Sequence, residues 1–241
     1  MAVFLSVISM LFPQFPDAYD YLQQNGEKQE VVRYVVVRHG ETPSNRDKKV
    51  GGQTVDVDLT HEGRLQAQIL GQQLAEAGLQ VKECFSSSLI RAQQTLSICT
   101  EAMNMEPMAI AIDDRVIEKY FGRDEGVDDV AYKQTIAKTN QDTHNKSWEE
   151  KFAYQVYPEV ESLQTVYERA REFLVEQRPN GNYLVATHKA LKKALLMGLL
   201  KEQGIEVGYR SFDLKNCSVC VIEVSGEGAP RVVAVSGLTS P

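Results

Sequence analysis

An arginine, a histidine and a glycine follow one another directly after an apolar run near the start of the chain. Residues 34–37 form the run, and Arg38, His39 and Gly40 come next. Such a run is typical of a strand buried on both faces, and ligands of open α/β sheets bind at the carboxyl end of the strands. Arg38 offers forked donors for phosphate or carboxylate oxygens, and Gly40 allows a close backbone approach to a bound group. His39 is then placed to attack a substrate or transfer a proton, although a lone histidine here could instead cap the sheet edge.

Two further strand ends carry groups suited to the same chemistry. Residues 81–85 predict a second buried strand, which leads through the serines at 86–88 to Arg91. Serines at a strand end that opens a helix make an anion site, because free backbone N–H groups and the helix dipole point at the ligand. An arginine in the first helical turn is unfavourable for the dipole, which indicates that Arg91 has another role. Residues 183–186 predict a further strand, and His188 stands just beyond its end.

Two motifs in this part of the chain resemble those of a known family. Residues 38–42 read R-H-G-E-T and are followed by Asn45, which resembles the signature of the histidine phosphatase superfamily. That superfamily includes cofactor-dependent phosphoglycerate mutases and fructose-2,6-bisphosphatases. Residues 87–95 resemble its second motif, S-x-L-x-R-A-x-Q-T, whose arginine holds the phosphoryl group. The resemblance gives this role to Arg91 and extends over most of residues 34–188.

The resemblance also supplies a proton donor. In residues 118–126 a glutamate precedes an aromatic-glycine pair and then glutamate-glycine, and Glu118 takes the position of the family's acid. Glu125 is the competing carboxylate in the same segment. Lys119 beside Glu118 favours the ionised carboxylate, which opposes an acid role unless the site is dry. The prediction is Glu118 as the proton donor, with Glu125 as the alternative.

Together these groups supply what phosphoryl transfer through a covalent histidine needs. A neutral imidazole nitrogen of His39 would attack phosphorus in line and form a phosphohistidine. Arg38, Arg91 and His188 would stabilise the charge on the three equatorial oxygens without a metal. Glu118 would protonate the leaving alkoxide and then activate water. We therefore expect a histidine-dependent phosphoric monoester hydrolase that acts on a small phosphomonoester and needs no cofactor.

Three alternatives stay open at this level. A phosphoglycerate mutase-type phosphotransferase would use the same groups, and the lack of a recognisable mutase-type insert favours the phosphatase branch, near the fructose-2,6-bisphosphatases. A non-catalytic protein on the same fold would only bind phosphorylated ligands. Two histidines with a carboxylate could bind iron or zinc, but neighbouring arginines disfavour a cation, so we expect no metal.

Further residues are expected to contact the substrate. Thr42 and Asn45 lie within the first motif, and Gln53 lies in the loop that follows it. Lys189 stands where the family usually has a glycine, which adds bulk and positive charge to the pocket. Basic residues recur in the two segments expected to line the pocket: Arg46, Lys48, Lys49, Lys189, Lys192 and Lys193. They predict a substrate with more than one anionic group.

The elements that position these groups alternate along the chain. Short apolar segments predict strands at 34–37, 81–85, 109–112 and 183–186, with a closing hairpin at 218–235. Helical periodicity predicts the helices between them; in the first long one, Leu65, Ile69, Leu70 and Leu74 recur at helical spacing. This predicts an α/β fold, a three-layer sandwich with a central, mostly parallel sheet flanked by helices on both faces. Residues 31–241 would form a single domain, with residues 127–160 as an insertion covering the active site.

Composition limits the functional class. The 241 residues are 43% hydrophobic and 24% charged, which is typical of a globular protein with a full core. The net charge of -7 disfavours a general nucleic-acid binder. Four cysteines among apolar residues are typical of reduced intracellular thiols and predict a cytoplasmic location. Cys217 and Cys220 would point to opposite faces of a strand, which disfavours a zinc or redox role.

Residues 1–30 are expected to form an N-terminal extension. Residues 2–12 are almost wholly apolar, but they lack the basic start of a secretory signal and are too short to span a bilayer. We expect them to pack on the domain, with contact to a membrane surface or a signal function as the alternatives. Residues 17–30 predict a short helix that ends near Asn25, followed by a polar connector.

Overall fold

The computed structural model describes residues 15–28, 30–226 and 228–236. Within them, six strands form one sheet: β1 (Val32–Arg38), β2 (Val81–Ser86), β3 (Ile110–Ile112), β4 (Gly181–Thr187), β5 (Val219–Val224) and β6 (Arg231–Val235). Their order across the sheet is β3-β2-β4-β1-β5-β6. β1, β4, β2 and β3 are mutually parallel, whereas the terminal hairpin of β5 and β6 is antiparallel. The predicted mostly parallel sheet with a closing hairpin is confirmed.

Helices cover both faces of this sheet. The described residues contain eight α-helices: α1 (Ala18–Asn25), α2 (Pro43–Arg46), α3 (His61–Glu76), α4 (Ile90–Ala102), α5 (Asp129–Thr143), α6 (Trp148–Phe152), α7 (Leu163–Val175) and α8 (Lys189–Glu202). Residues of α1, α3 and α4 share a core with one face of the sheet. Residues of α7 and α8 share a second core with the opposite face. The chain therefore has the three-layer α/β fold that its sequence predicts.

β1 lies between the two cores, and its side chains alternate between them. Tyr34 and Val36 belong to the core beneath α7 and α8, whereas Val35 and Val37 belong to the core beneath α3 and α4. Successive side chains of a strand point to opposite faces, so an unbroken apolar run serves both layers. All seven residues of β1 are buried. The strand that carries the candidate nucleophile is thus held on both sides.

The buried face of α3 includes only part of its apolar pattern. Leu65 and Ile69 are 40% and 52% exposed, and the helix instead buries Gly63, Ala67, Leu70, Gly71 and Leu74. Small residues on this face allow a close approach to α4, because a Cβ added to Gly71 would lie 2.8 Å from the Ala102 side chain. Close backbone packing therefore selects the small residues rather than the largest apolar ones. The helix that this spacing predicts is present, but Leu65 and Ile69 lie outside its buried face.

The described part of the predicted N-terminal extension packs on the domain. Ala18 and Leu22 of α1 are buried in the core beneath α3 and α4. Arg33 of β1 donates to the Asn25 carbonyl at 2.8 Å, which ties the end of α1 to the sheet. The prediction for residues 2–12 lies outside the described residues, and the boundary at residue 31 stays a prediction. Among the helices described, none is long and apolar enough to cross a membrane.

The loop after β1 meets the first turn of α3 at two glycines. A Cβ added to Gly40 would overlap the carbonyl oxygen of Gly63, and a Cβ added to Gly63 would lie 2.7 Å from the Glu41 nitrogen. The sequence predicts that Gly40 makes room for a bound group. In the structure its bare backbone makes room for α3 instead, and this contact fixes the loop that carries His39.

We expect Gly63→Ala to destabilise the fold because a methyl group cannot fit at this contact. Alanine would favour the helix by about 1 kcal/mol, but overpacking costs about 1–3 kcal/mol and the backbone atoms it meets cannot rotate away. Urea unfolding of the variant should therefore give a lower free energy of unfolding. Gly208→Ala is the control, since Gly208 has a φ of -102° and open space around an added Cβ. Equal stability of both variants would contradict the packing account.

Candidate active site

The carboxyl ends of three adjacent parallel strands bring the predicted groups to one edge of the sheet. Arg38 ends β1 and pairs in register with Thr187, which ends β4. His39 donates its backbone N–H to the Thr187 carbonyl at 2.9 Å, and His188 follows directly. The ring centroids of His39 and His188 are 5.2 Å apart. β2 ends on the other side of β4, so Ser87 reaches the same edge.

His39 is held as a neutral imidazole with one free nitrogen. Its Nδ1 lies 2.7 Å from the Gly40 carbonyl oxygen. A carbonyl oxygen only accepts, so Nδ1 carries the proton and the lone pair is on Nε2. Burial, together with the charges of Arg38 and Arg91, holds the pKa of His39 well below its usual value. The arrangement leaves Nε2 of His39 free and keeps the imidazole unprotonated in neutral solution, as a candidate nucleophile requires.

His188 is fully buried beside this ring. Its Nε2 lies 2.8 Å from the Ser87 hydroxyl oxygen. Burial, Arg91 and His39 keep the pKa of His188 well below its usual value. Among the described residues, the buried side-chain atoms without a hydrogen-bond partner are His188 Nδ1 and Arg38 Nε. Unpaired buried polar atoms are costly and rare, and here both belong to the cluster in which an anion is expected to bind.

Two guanidinium groups flank the nucleophile. Arg38 is buried, and its Nη1 donates to the Leu214 carbonyl at 2.8 Å. Burial lowers the pKa of Arg38 to about 10, so it remains charged at neutral pH. Arg91, in the first turn of α4, donates to the carbonyls of Val55 and Gly52 at 2.9 and 2.7 Å. These carbonyl contacts orient both positive charges, and Asp56 Oδ1 lies 3.8 Å from Arg91 Nη1.

Glu118 reaches the cluster from the segment after β3. Its Oε1 accepts backbone N–H groups from Lys119 at 2.8 Å and from Ala190 and Leu191 at 3.1 Å. Two of these donors belong to the first turn of α8, where N–H groups lack helical partners. The family usually has glycines where this chain has Lys189 and Ala190. The backbone N–H groups of Ala190 and Leu191 still donate to Glu118, and they fix its carboxylate beside the cavity.

The competing carboxylate has a different environment. Glu125 accepts backbone N–H groups from Gln53 at 3.0 Å, Phe121 at 2.9 Å and Thr54 at 2.7 Å. It closes the loop at residues 52–54 and does not line the cavity that holds His39. Of the two carboxylates, the geometry favours Glu118 as the acid.

The two substrate contacts predicted within the first motif line the cavity. Thr42 caps α2, its hydroxyl accepting the Asn45 N–H at 3.3 Å while Asn45 Oδ1 accepts the Thr42 N–H. Asn216 was missed by sequence reasoning. Its side-chain amide donates to the His39 carbonyl and to Asn45 Oδ1, each at 2.9 Å. Only the fold brings the turn before β5 beneath the nucleophile loop, so no local signal marks this residue.

Gln53 and some of the predicted lysines are not directed at the cavity. Gln53 donates its amide to the Glu118 carbonyl at 2.7 Å and does not line the cavity, so the structure does not bring it to the site. Lys192 is fully buried and donates to the Ser218 carbonyl at 2.6 Å. Lys189 and Lys193 do line the cavity. Burial and Arg38 lower the pKa of Lys189, and burial lowers that of Lys193 to about 8.

The cavity above His39 is large and locally basic. Its volume is about 1430 Å³, and α5 with the following residues to Val160 lines one side of it. The basic side chains that line it are Arg38, Lys48, Lys49, Arg91, Lys119, Lys151, Lys189, Lys193, Arg210 and Lys215. The acidic ones are Glu118, Asp124, Asp129, Glu161 and Asp213. A chain with a net charge of -7 thus concentrates positive charge where an anion would bind.

Comparison with known proteins agrees with this arrangement. The chain is 30% identical over 198 residues to phosphoserine phosphatase 1 of Hydrogenobacter thermophilus, covering 80% of this chain and 87% of that protein. It is also 30% identical over 185 residues to a 2,3-bisphosphoglycerate-dependent phosphoglycerate mutase of Mesorhizobium japonicum, covering 72% and 84%. A crystal structure of phosphoglycerate mutase from Bacillus anthracis superposes with a TM-score of 0.69 at 21% identity, covering 88% of this chain and 96% of that one.

The family model of the histidine phosphatase superfamily (branch 1) matches residues 34–236. This span contains every strand end and every candidate catalytic residue described above. The protein therefore belongs to branch 1 of the histidine phosphatase superfamily.

Proposed function

We propose that the protein is a phosphatase that hydrolyses a small phosphomonoester through a phosphohistidine intermediate. The observation that carries this proposal is the state of His39, a buried neutral imidazole whose Nδ1–H is bound to the Gly40 carbonyl. The Nε2 lone pair is thereby available to phosphorus. Two guanidinium groups beside it supply the positive charge that a transferring phosphoryl group requires.

The first half-reaction transfers the phosphoryl group to the protein. His39 Nε2 attacks phosphorus in line, and the N–P bond forms as the P–O bond to the alcohol breaks. Arg38, Arg91 and His188 stabilise the three equatorial oxygens. Glu118 donates a proton to the departing oxygen, so the leaving group departs as a neutral alcohol.

Water completes the cycle in the second half-reaction. The Glu118 carboxylate accepts a proton from water, which attacks phosphorus and releases inorganic phosphate with His39 restored. A mutase must instead retain the phosphoryl group until a second acceptor binds, which requires exclusion of water. A cavity of about 1430 Å³ leaves room for water, which supports hydrolysis over transfer. The cytoplasmic location stays a prediction from the sequence.

We expect His39→Ala to lower the hydrolysis of p-nitrophenyl phosphate by at least about 1000-fold, because the covalent route is lost. His61→Ala is the matched control, since His61 is an exposed residue of α3. Rapid quenching in base with ³²P-labelled substrate should trap a phosphohistidine in the wild type and the control only. Retained activity in His39→Ala would mean that another residue is the nucleophile. Transfer of the label to an alcohol rather than to water would identify a phosphotransferase. Binding of the substrate without any turnover would identify a non-catalytic protein.

The low pKa of His39 provides a second test. We expect its imidazole signals in two-dimensional ¹⁵N NMR to show the neutral form as the pH falls through 6.5, because a lowered pKa delays protonation. Arg91→Gln removes one of the charges responsible, so the titration midpoint should rise. Arg171→Gln removes the same charge from a surface ion pair with Glu202 and should leave the midpoint unchanged. Equal midpoints in the two variants would contradict the assigned cause.

A further inference from the structure

The cavity extends beyond the phosphoryl site along one face each of α8 and α5. Lys189, Lys193 and Met197 line it from successive turns of α8, which spans ~12 Å at 1.5 Å per residue. Tyr132 and Ile136 line the same cavity from neighbouring turns of α5. A groove of this length is longer than a three-carbon phosphate ester, so its far end has room for a part of the substrate other than the phosphoryl group.

The far end of this groove carries preformed apolar side chains, and polar side chains such as Thr139, Asn140 and Lys151 line the same cavity. Met197, Leu163 and Trp148 line one wall, and Trp148 and Leu163 pack against the main core. The Trp148 indole N–H donates to the Val207 carbonyl at 2.8 Å, which fixes the ring. Ile136, 36% exposed, faces the same cavity from α5. The cavity thus offers a group of apolar side chains in addition to the cations near His39.

We propose that this apolar end, defined by Ile136, Trp148, Leu163 and Met197, binds the hydrocarbon body of the substrate. The inference rests on the proposed phosphatase function and names its substrate class. The substrate is an alkyl or aryl phosphomonoester long enough to extend along this ~12 Å stretch of α8. Preformed apolar pockets with few polar groups are the usual sites for such ligands.

The test is the dependence of kcat/KM on chain length for ethyl, butyl, hexyl and octyl phosphate. Full burial of a methylene group is worth about fourfold, so we expect kcat/KM to rise at least about tenfold from ethyl to octyl phosphate. Ile136→Asp should abolish this rise, because a carboxylate would enter the apolar end. Val130→Asp, on the same helix but 71% exposed and outside the cavity, should retain it.

A wild-type enzyme that hydrolyses every ester with no dependence on chain length would overturn the apolar subsite while leaving the phosphatase function intact. The same conclusion would follow if Ile136→Asp and Val130→Asp kept the same dependence. Failure to hydrolyse any ester, ethyl phosphate included, would overturn the proposed function itself. Circular dichroism of both variants checks that each retains the helix content of the wild type.

Arg169 fixes the segment that carries Glu118. Arg169 of α7 uses all five guanidinium N–H donors. Its Nη1 donates to the carbonyls of Arg115 and Ile117 at 3.0 and 2.8 Å. Its Nη2 donates to the Glu118 carbonyl at 3.0 Å, and Nε and Nη2 donate to the Glu161 carboxylate at 3.0 and 3.1 Å. A core helix thereby holds three carbonyls of an irregular segment.

Glu161 extends the same set of contacts to the other side of Glu118. Its Oε2 accepts the Tyr120 N–H at 2.7 Å and the Gln53 amide at 3.4 Å. The Arg169–Glu161 ion pair therefore fixes the backbone both before and after Glu118. The Gln53 amide is a second donor to the Glu118 carbonyl, beside Arg169. Such buried networks hold a single geometry when every donor is satisfied.

We infer that Arg169 is a positioning residue that aims the Glu118 carboxyl at the leaving-group oxygen. This inference also rests on the proposed function. Proton donation matters when the departing oxygen is strongly basic, as in an alkyl ester, and matters little for p-nitrophenolate. A misplaced Glu118 therefore slows alkyl esters selectively, whereas general damage to the fold slows both substrates alike.

We expect Arg169→Lys to lower kcat/KM for ethyl phosphate at least about tenfold more than for p-nitrophenyl phosphate, since lysine cannot make five directed hydrogen bonds. Glu118→Gln should show the same split. Arg171→Lys, on the same helix in an exposed pair with Glu202, should change neither substrate. Equal losses on both substrates in Arg169→Lys, or no loss on either, would overturn the positioning role. If the wild-type protein hydrolyses neither ester, the proposed function itself is rejected.

Discussion

The parallel alignment of β1, β4 and β2 is the constraint on which the candidate site depends. In a parallel sheet the carboxyl ends of neighbouring strands lie along one edge, so residues far apart in sequence meet there. Arg38 is in register with Thr187 across the central pair, and Ser86 is paired with Ala186 on the other side of β4. The two histidines, the serine and the first arginine need no long loops to reach one another. Their geometry is inherited from the hydrogen bonds of the sheet.

Burial then determines the chemistry of these groups. Positive charge and low solvent access act together on the two imidazoles and keep both neutral. The guanidinium groups remain charged because their intrinsic pKa values are so high that burial lowers them without discharging them. The same environment thus yields uncharged imidazoles beside fixed cations. This is the combination that phosphoryl transfer without a metal requires.

Much of this could be predicted from the sequence because strand ends and motif residues are encoded locally. Apolar runs locate β1 and β4, and the strings around His39 and Arg91 indicate their chemistry. The direction of a long side chain is not encoded in this way. Gln53 and Lys192 have the residue types of ligand contacts, yet one holds the Glu118 carbonyl and the other a carbonyl of the β5 turn. Asn216 carries no local signal, because its importance comes from a turn that only the assembled sheet brings beneath His39.

The buried imidazole pair has a consequence for the response of the fold to acid. In the unfolded chain both rings would take up protons near their ordinary pKa of about 6.5, whereas the folded chain resists protonation at both. The unfolded state therefore binds more protons as the pH falls below that value, and the free energy of unfolding decreases. A phosphate dianion seated between the rings and the guanidinium groups would oppose this effect by favouring the protonated imidazoles. The empty protein is then the more acid-labile form, and occupation by its ligand protects it.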